Sequence, residues 1–208
     1  MKIHSNEVIT KQAQLFKFLL PVLLAFTLFM AGCGTPVHKN AYLDFGIIPQ
    51  QAGVYVDRES ALITARDKRK ENEVITYHPG TKQQLKILAD PSINSILTDQ
   101  LAKGFADQGL ILTREEPGAY IMIEIVSLHA DIARDKGLYL AEVTTSLRLT
   151  VETTHKKLTK TYNRDADRKS ISKPLLQDVE EMIRDQLQEI VNLILIDREI
   201  QTTIKQQS

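Results

Sequence analysis

The stretch Tyr139-Leu140-Ala141-Glu142-Val143-Thr144-Thr145-Ser146-Leu147-Arg148-Leu149-Thr150-Val151-Glu152 alternates almost without a break. Tyr139, Ala141, Val143, Thr145, Leu147, Leu149 and Val151 fall on one parity. Leu140, Glu142, Thr144, Ser146, Arg148, Thr150 and Glu152 fall on the other. Successive side chains of a strand point to opposite faces, so this is a long strand with one apolar and one wet face. A strand of that kind belongs to an antiparallel sheet covered on one side.

The flanking residues extend the sheet. Upstream, Ile121, Ile123 and Ile125 sit in a β run from Ala119 to Ile132, and Arg134-Asp135-Lys136-Gly137 has the chemistry of a hairpin turn. Downstream, His155-Lys156-Lys157 makes a second polar turn, and Leu158 to Ala166 returns as a third strand before the polar segment Asp165 to Ser172. Pro174 then opens a helix in which Leu176, Val179, Ile183, Leu187, Ile190 and Ile194 recur at helical spacing, with Leu175, Met182 and Val191 widening the stripe. From Asp197 the chain is more polar and reads as a separate helical turn, with Ile200 and Ile204 docking back.

The first half of the body is read in the same way. Tyr42 to Ile48, Ala52 to Asp57, Ala61 to Ala65 and Gln83 to Ala89 are strand candidates, with Pro49 ending the first. Asp90-Pro91 has the form of a helix start, Asp as cap and Pro in the first turn. Ile93, Ile96, Leu97, Leu101 and Phe105 then line one face of a helix over 91–108, closed by Gly109 in a left-handed cap. Leu110 to Thr113 is a short strand, and the charge-dense run Arg66 to Glu73 reads as a loop or the exposed end of a strand. The expected fold is α+β, a mainly antiparallel β-sheet meander with two principal helices packed on one face.

The N-terminus stands apart. Lys2, Lys11 and Lys17 precede Phe18 to Ala31, an uncharged apolar run, then Gly32 and Cys33. This is a secretory signal pattern, too short for a comfortable membrane span. Met30-Ala31-Gly32-Cys33 resembles the lipobox of bacterial lipoproteins. The resemblance implies that residues 1–32 are cleaved as a signal peptide and that the Cys33 thiol carries a diacylglycerol. The new amine would be acylated as well. Cys33 is the only cysteine of the chain, so it has no disulfide partner. More than one acyl chain makes anchoring stable. Gly34, where Asp would imply inner-membrane retention, implies by the same resemblance the outer membrane, with the body facing the periplasm. Residues 33–40 form a short tether, and 41–208 a single domain.

Without Lys2, Lys11, Lys17 and Glu7, the chain of 26 basic and 26 acidic side chains keeps 23 and 25, a formal charge of −2. A near-neutral body gives no electrostatic reason to bind nucleic acid. The absence of tryptophan and an aromatic share of 6% discourage stacking platforms for sugars.

The order of the motifs resembles the YajG family of small Gram-negative lipoproteins. Its carriers are the lipobox, Asp67-Lys68-Arg69, a helix with Ile93, Ile96, Leu97 and Leu101 that ends at Gln108-Gly109, the stretch Ile121 to Asp131, Lys157 to Tyr162, and a long C-terminal helix. The resemblance implies an envelope lipoprotein of this fold and brings no activity, cofactor or catalytic residue.

Chemistry is sparse. His4, His38, His78, His129 and His155 lack the spacing of a metal site, and there is no glycine-rich phosphate loop or G-x-S-x-G elbow. Ser127, His129 and Asp131 lie on one face of a strand about 7 Å apart, an arrangement of an exposed face and not of a triad. Glu124, Glu142 and Glu152 are candidate paired carboxylates that an exposed sheet face explains. Asp131 and Asp135 flank a hairpin turn and offer too few oxygen ligands for calcium. No catalytic residue, metal or cofactor is therefore expected. The implied partners are the membrane, through Cys33, and another envelope protein that could add a strand at an exposed sheet edge near Tyr42 to Ile48 or Leu158 to Ala166. The alternative is a carrier of a small ligand or lipid, with the apolar face from Tyr139 to Val151 lining a cavity.

Overall fold

The computed structural model describes residues 40–79 and 84–206. The expected signal peptide, Cys33 and the tether up to residue 39 lie outside the described residues. So does Gln83, the expected first residue of a strand.

Among the described residues, eight strands and three helices follow in the order β1 (Asn40–Ala41), β2 (Ser60–Asp67), β3 (Glu73–Tyr77), β4 (Leu85–Ala89), α1 (Ile93–Asp107), β5 (Ile111–Leu112), β6 (Ala119–Asp135), β7 (Leu138–Thr153), β8 (Lys157–Ser170), α2 (Leu176–Ile196) and α3 (Arg198–Lys205). The alternating stretch is β7, as expected, and β6, β7 and β8 form the antiparallel meander. The hairpin between β6 and β7 turns on Lys136 (φ 47°) and Gly137 (φ 88°), the paired positive dihedrals that match strand twist in a tight hairpin.

The rest of the sheet differs from a mainly antiparallel meander. β2 and β3 both run parallel to β6, β5 runs parallel to β2, and β1 runs parallel to β4, so the sheet is mixed. Strand β6 explains this. One edge of it carries β7 throughout; the other is divided, with β2 along Ala119 to Ile125 and β3 along Ala130 to Ile132. Two short strands laid end to end in the same direction replace one long neighbour. A bulge between Ile125 and Ser127 sits where one hands over to the other. Sequence periodicity reports which face of a strand is buried, not which way its neighbour runs, so the parallel pairings were not legible.

Tyr42 to Ile48, expected as a strand, pairs with no strand beyond Ala41. Its side chains do alternate, with Leu43 and Phe45 buried and Tyr42, Asp44 and Gly46 exposed. Its backbone, however, is served by helix side chains. The Tyr42 amide donates to Glu180 Oε1 (3.0 Å), Arg184 donates to the Tyr42 carbonyl (3.3 Å), and the Ile48 amide donates to Asn192 Oδ1 (3.1 Å). Glu180, Arg184 and Asn192 share one stripe of α2 at four- and eight-residue spacing. Ala52 to Asp57 is not a strand either. It is a turn around Gly53 that buries Tyr55 against Phe105, and the Tyr55 amide donates to the Gln108 carbonyl.

Helix α1 begins two residues later than expected. Ser92 is the cap, accepting from the Ser95 amide. Asp90 lies before the helix: its amide donates to the Ala41 carbonyl, continuing the edge of β4, and its carboxylate accepts from Asn40 Nδ2 at 3.4 Å. Gly109 ends the helix at φ 101°, as expected. Strand β8 continues past Ala166, its expected end, to Ser170 through most of the polar segment.

One core joins the helices to the sheet. Ile93, Leu97, Leu101 and Phe105 of α1 and Val179, Ile183, Leu187, Ile190 and Ile194 of α2 are buried with Ile121, Ile123, Ile125, Val143, Leu147 and Leu149. Each such aliphatic side chain contributes roughly 1.5–3 kcal/mol by leaving water. Ile200 and Ile204 of α3 are fully buried, so the C-terminal turn docks back as its spacing suggests.

Candidate functional site

Polar residues collect where the meander turns its wet face outward. Ser127, His129 and Asp131 of β6, Glu142 and Thr144 of β7, and Asp165 and Asp167 of β8 line an open groove of about 600 Å³. Register places Asp131 opposite Glu142, and Glu142 opposite Asp167, so three carboxylates form one row across three strands. Such a row is unfavourable by charge alone. It is eased by His78, at the end of β3, whose Nε2 lies 2.6 Å from Asp131 Oδ1. Gln84 Nε2 lies 3.3 Å from the other ring nitrogen.

Ser127, His129 and Asp131 do share a face, yet the imidazole that meets Asp131 belongs to His78, not His129. Their grouping has the spacing of a strand face and not the linked hydrogen bonds of a nucleophile and its base. The carboxylates considered as pairs are also divided. Glu124 lies near Lys68 (3.8 Å) and Arg148 (3.7 Å), Glu152 meets Lys157 (2.8 Å), and Glu142 lines the groove. Among the described residues, no three His, Cys, Asp or Glu side chains are placed to hold a metal ion. The groove offers hydrogen-bond acceptors and negative charge, without an activated nucleophile.

A second polar centre lies inside the sheet. Asp67 ends β2 and Arg69 follows it, at the point where β6 bulges. Arg69 donates to both oxygens of Asp67, the shortest contact being 2.6 Å, and to the carbonyls of Leu128 (2.9 Å), Glu73 (3.2 Å) and Asn72 (3.3 Å). Its side chain is only 8% exposed. Burial pushes the Asp67 carboxyl up, but the Arg69 hydrogen bonds and charge outweigh it and hold the group below its ordinary value. The charged run expected on the surface thus contains a structural plug. The signal that singles it out is the position of Arg69 two residues beyond an apolar, β-branched strand.

A third cluster ties β8 to the helices. Asp197 caps α3 by accepting from the Glu199 and Ile200 amides, and it also receives Lys160 (2.7 Å) and the Tyr162 hydroxyl (3.1 Å). Burial raises the Asp197 carboxyl, and the Lys160 hydrogen bond with the two amides more than reverses this. Burial, then the Asp197 charge, raises the Tyr162 phenol. Arg164 meets Glu189 of α2 at 2.8 Å. These side chains fold inward, and the far edge of β8 carries no strand among the described residues. Leu158 to Ala166, one of the two expected docking edges, is therefore an edge. Tyr42 to Ile48, the other, is occupied by α2.

Among the described residues, no helix is long and apolar enough to cross a membrane. No curated protein matches the chain. Among solved structures, a Xanthomonas campestris protein of the DUF330 family is 14% identical, covers 81% of this chain and 98% of its own, and superposes at a TM-score of 0.57. An uncharacterised protein (10% identity, covering 78% and 99%) and a Helicobacter pylori protein named as a neuraminyllactose-binding hemagglutinin homolog (9% identity, covering 80% and 99%) each reach 0.48. The first shows a shared fold; the other two carry no argument. The family of uncharacterised lipoproteins matches residues 48–205, which spans β2 to α3 with the Arg69 plug and the whole meander. The chain belongs to that YajG-like family of lipoproteins.

Proposed function

We propose that this lipoprotein is a non-enzymatic binding module of the Gram-negative envelope. Acylated Cys33 holds it on the outer membrane with its body facing the periplasm, and the edge of β8 docks a protein partner. The observation that carries the reading is β8 itself, a 14-residue strand with β7 as its one strand neighbour among the described residues. An unpaired edge of that length offers a row of amides and carbonyls to a partner strand. Asp165, Asp167 and Arg168, exposed along it, guard against indiscriminate pairing and favour a partner of complementary charge.

Family membership supports the lipoprotein part. The ordering of the polar residues supports a non-catalytic role, because Arg69, Asp197 and Glu124 are engaged in structural contacts. The carrier alternative would need the apolar face of β7 to be open. Ala141, Val143, Leu147, Leu149 and Val151 are instead buried in the same core as α2.

A photo-crosslinking residue placed at Asn163 of β8 in cells should trap one discrete envelope protein, while the same residue at exposed Lys103 of α1 should not. Adducts to abundant porins alone, or equal adducts from both positions, would sink the docking role of β8.

A further inference from the structure

One end of the domain combines three features. The first is where the chain enters. β1 begins at Asn40, and from Tyr42 to Ile48 the chain runs along α2 from Glu180 toward Asn192. It therefore enters from the side of the N-terminal end of α2. The second is exposed apolar surface. At that end β6 turns into β7, β8 finishes with Ser170 beside Tyr139, and α2 begins. Ile171 is 85% exposed, Leu175 67% and Leu138 44%. The third is charge. Arg134, Lys136, Arg168, Lys169 and Lys173 are all exposed there. Against them stand Asp135, Asp167 beside Arg168 and, in the first turn of α2, Asp178, whose carboxylate accepts from the Leu175 amide.

The end is also held in shape. Tyr77 and Tyr139 stack with ring centroids 6.5 Å apart, Lys173 Nζ lies 4.0 Å from the Tyr77 ring, and Arg134 lies 5.4 Å from the Tyr139 ring. Protruding aliphatic side chains ringed by Lys and Arg suit a lipid–water interface. The aliphatic groups enter the headgroup layer, and the cations reach phosphate along apolar stems.

We propose that this end rests on the bilayer, with Leu138, Ile171 and Leu175 entering the interface and Lys136, Arg168, Lys169 and Lys173 binding anionic phospholipid headgroups. The proposal rests on the reading of Cys33 as the acylated residue. Six residues lie between Cys33 and Asn40, and the seven extended steps from one to the other span at most about 25 Å. The anchor therefore keeps this end near the membrane, and docking fixes which way the body faces. The groove around Asp131 and the edge of β8 extend away from the hairpin tip and remain accessible.

The test uses the acylated full-length mature protein in vesicles. An environment-sensitive fluorophore is attached through Ile171→Cys, and in a second variant through His155→Cys in the β7–β8 turn at the opposite end of the meander. Vesicles of phosphatidylethanolamine with phosphatidylglycerol should blue-shift the label at 171 and shield it from an aqueous quencher, while the label at 155 stays in water. Pure phosphatidylcholine should give a weaker shift. Lys169→Gln and Lys173→Gln should each lower the docked fraction, by about fivefold in the docking equilibrium. Vesicle-bound protein with identical emission at both positions would overturn the docking and leave the anchor standing. Mature protein with an unmodified Cys33 thiol would overturn the anchor and the proposal together.

Discussion

Arg69 donates to the carbonyl of Leu128 at 2.9 Å, across the stretch of β6 where β2 has ended and β3 has not yet begun. A guanidinium stands in there for a missing ladder bond. It also holds the Asp67 carboxylate and ties down the connection between the two short strands through Asn72 and Glu73.

Replacing Arg69 by Met leaves Asp67 charged and half-buried, with three carbonyls short of a donor. The expected loss is about 3–5 kcal/mol of unfolding free energy. Arg69→Lys should recover only part of it, because an ammonium cannot span the same set of acceptors. Chemical denaturation of the three proteins settles the order. Equal stabilities for Met and Arg would show that the plug contributes nothing.

The same pair sets the response to acid. Asp67 has a lowered native pKa, and Glu73, hydrogen-bonded to Lys86, is lowered to about 2. A depressed carboxyl contributes stability that is complete above its unfolded value, about 4, and is lost as pH falls through the native value. Unfolding free energy should therefore fall on going from neutral pH to about pH 3, and Arg69→Met should flatten part of that slope. A protein that grew more stable in acid would contradict the sign.

Thr145 and Gln186 form a buried polar pair beneath α2. The Thr145 hydroxyl donates to Gln186 Oε1 at 2.6 Å, and Gln186 Nε2 donates to the Val143 carbonyl at 3.2 Å. Thr145→Val leaves the amide oxygen unsatisfied, for about 1–3 kcal/mol. The double variant with Gln186→Leu should cost less than the sum of the single variants, since both partners become apolar. Strict additivity in a double-mutant cycle would deny the pairing.

Much of the architecture was legible because local rules and burial agree. The alternation of Tyr139 to Val151, the helical stripes from Ile93 and Val179, the left-handed Gly109 and the docking of Ile200 and Ile204 each follow from residue spacing. What escaped needed information from distant residues. Tyr42 to Ile48 has a strand's alternation, but the groups that bond its backbone belong to Glu180, Arg184 and Asn192. His78 meets Asp131 from 53 positions away, so no local motif announces it. Arg69 lies in a run that reads as solvated charge, and only the gap along β6 explains why it is buried.

Two glycines of α1 and its cap separate strain from crowding. A Cβ on Gly109, at φ 101°, would lie 2.5 Å from the Tyr55 carbonyl oxygen, a backbone atom with little room to move. On Gly104 it would meet the Leu195 methyl groups, at 2.4 and 2.8 Å, which can rotate. Gly109→Ala should therefore destabilise by more than about 1 kcal/mol. Gly104→Ala should show an overpacking cost of about 1–3 kcal/mol offset by nearly 1 kcal/mol of helix propensity. Thermal melts of both variants test the ranking, and a larger loss at Gly104 would reverse it.

The account as a whole depends on the proposed acylation of Cys33. Mass spectrometry of the N-terminal peptide from the mature protein, isolated from membranes, tests it most directly. The expected peptide begins at Cys33 and carries a diacylglycerol on sulfur and an acyl chain on its amine. A mature chain beginning at another residue, or one with a free Cys33 thiol, would contradict the account.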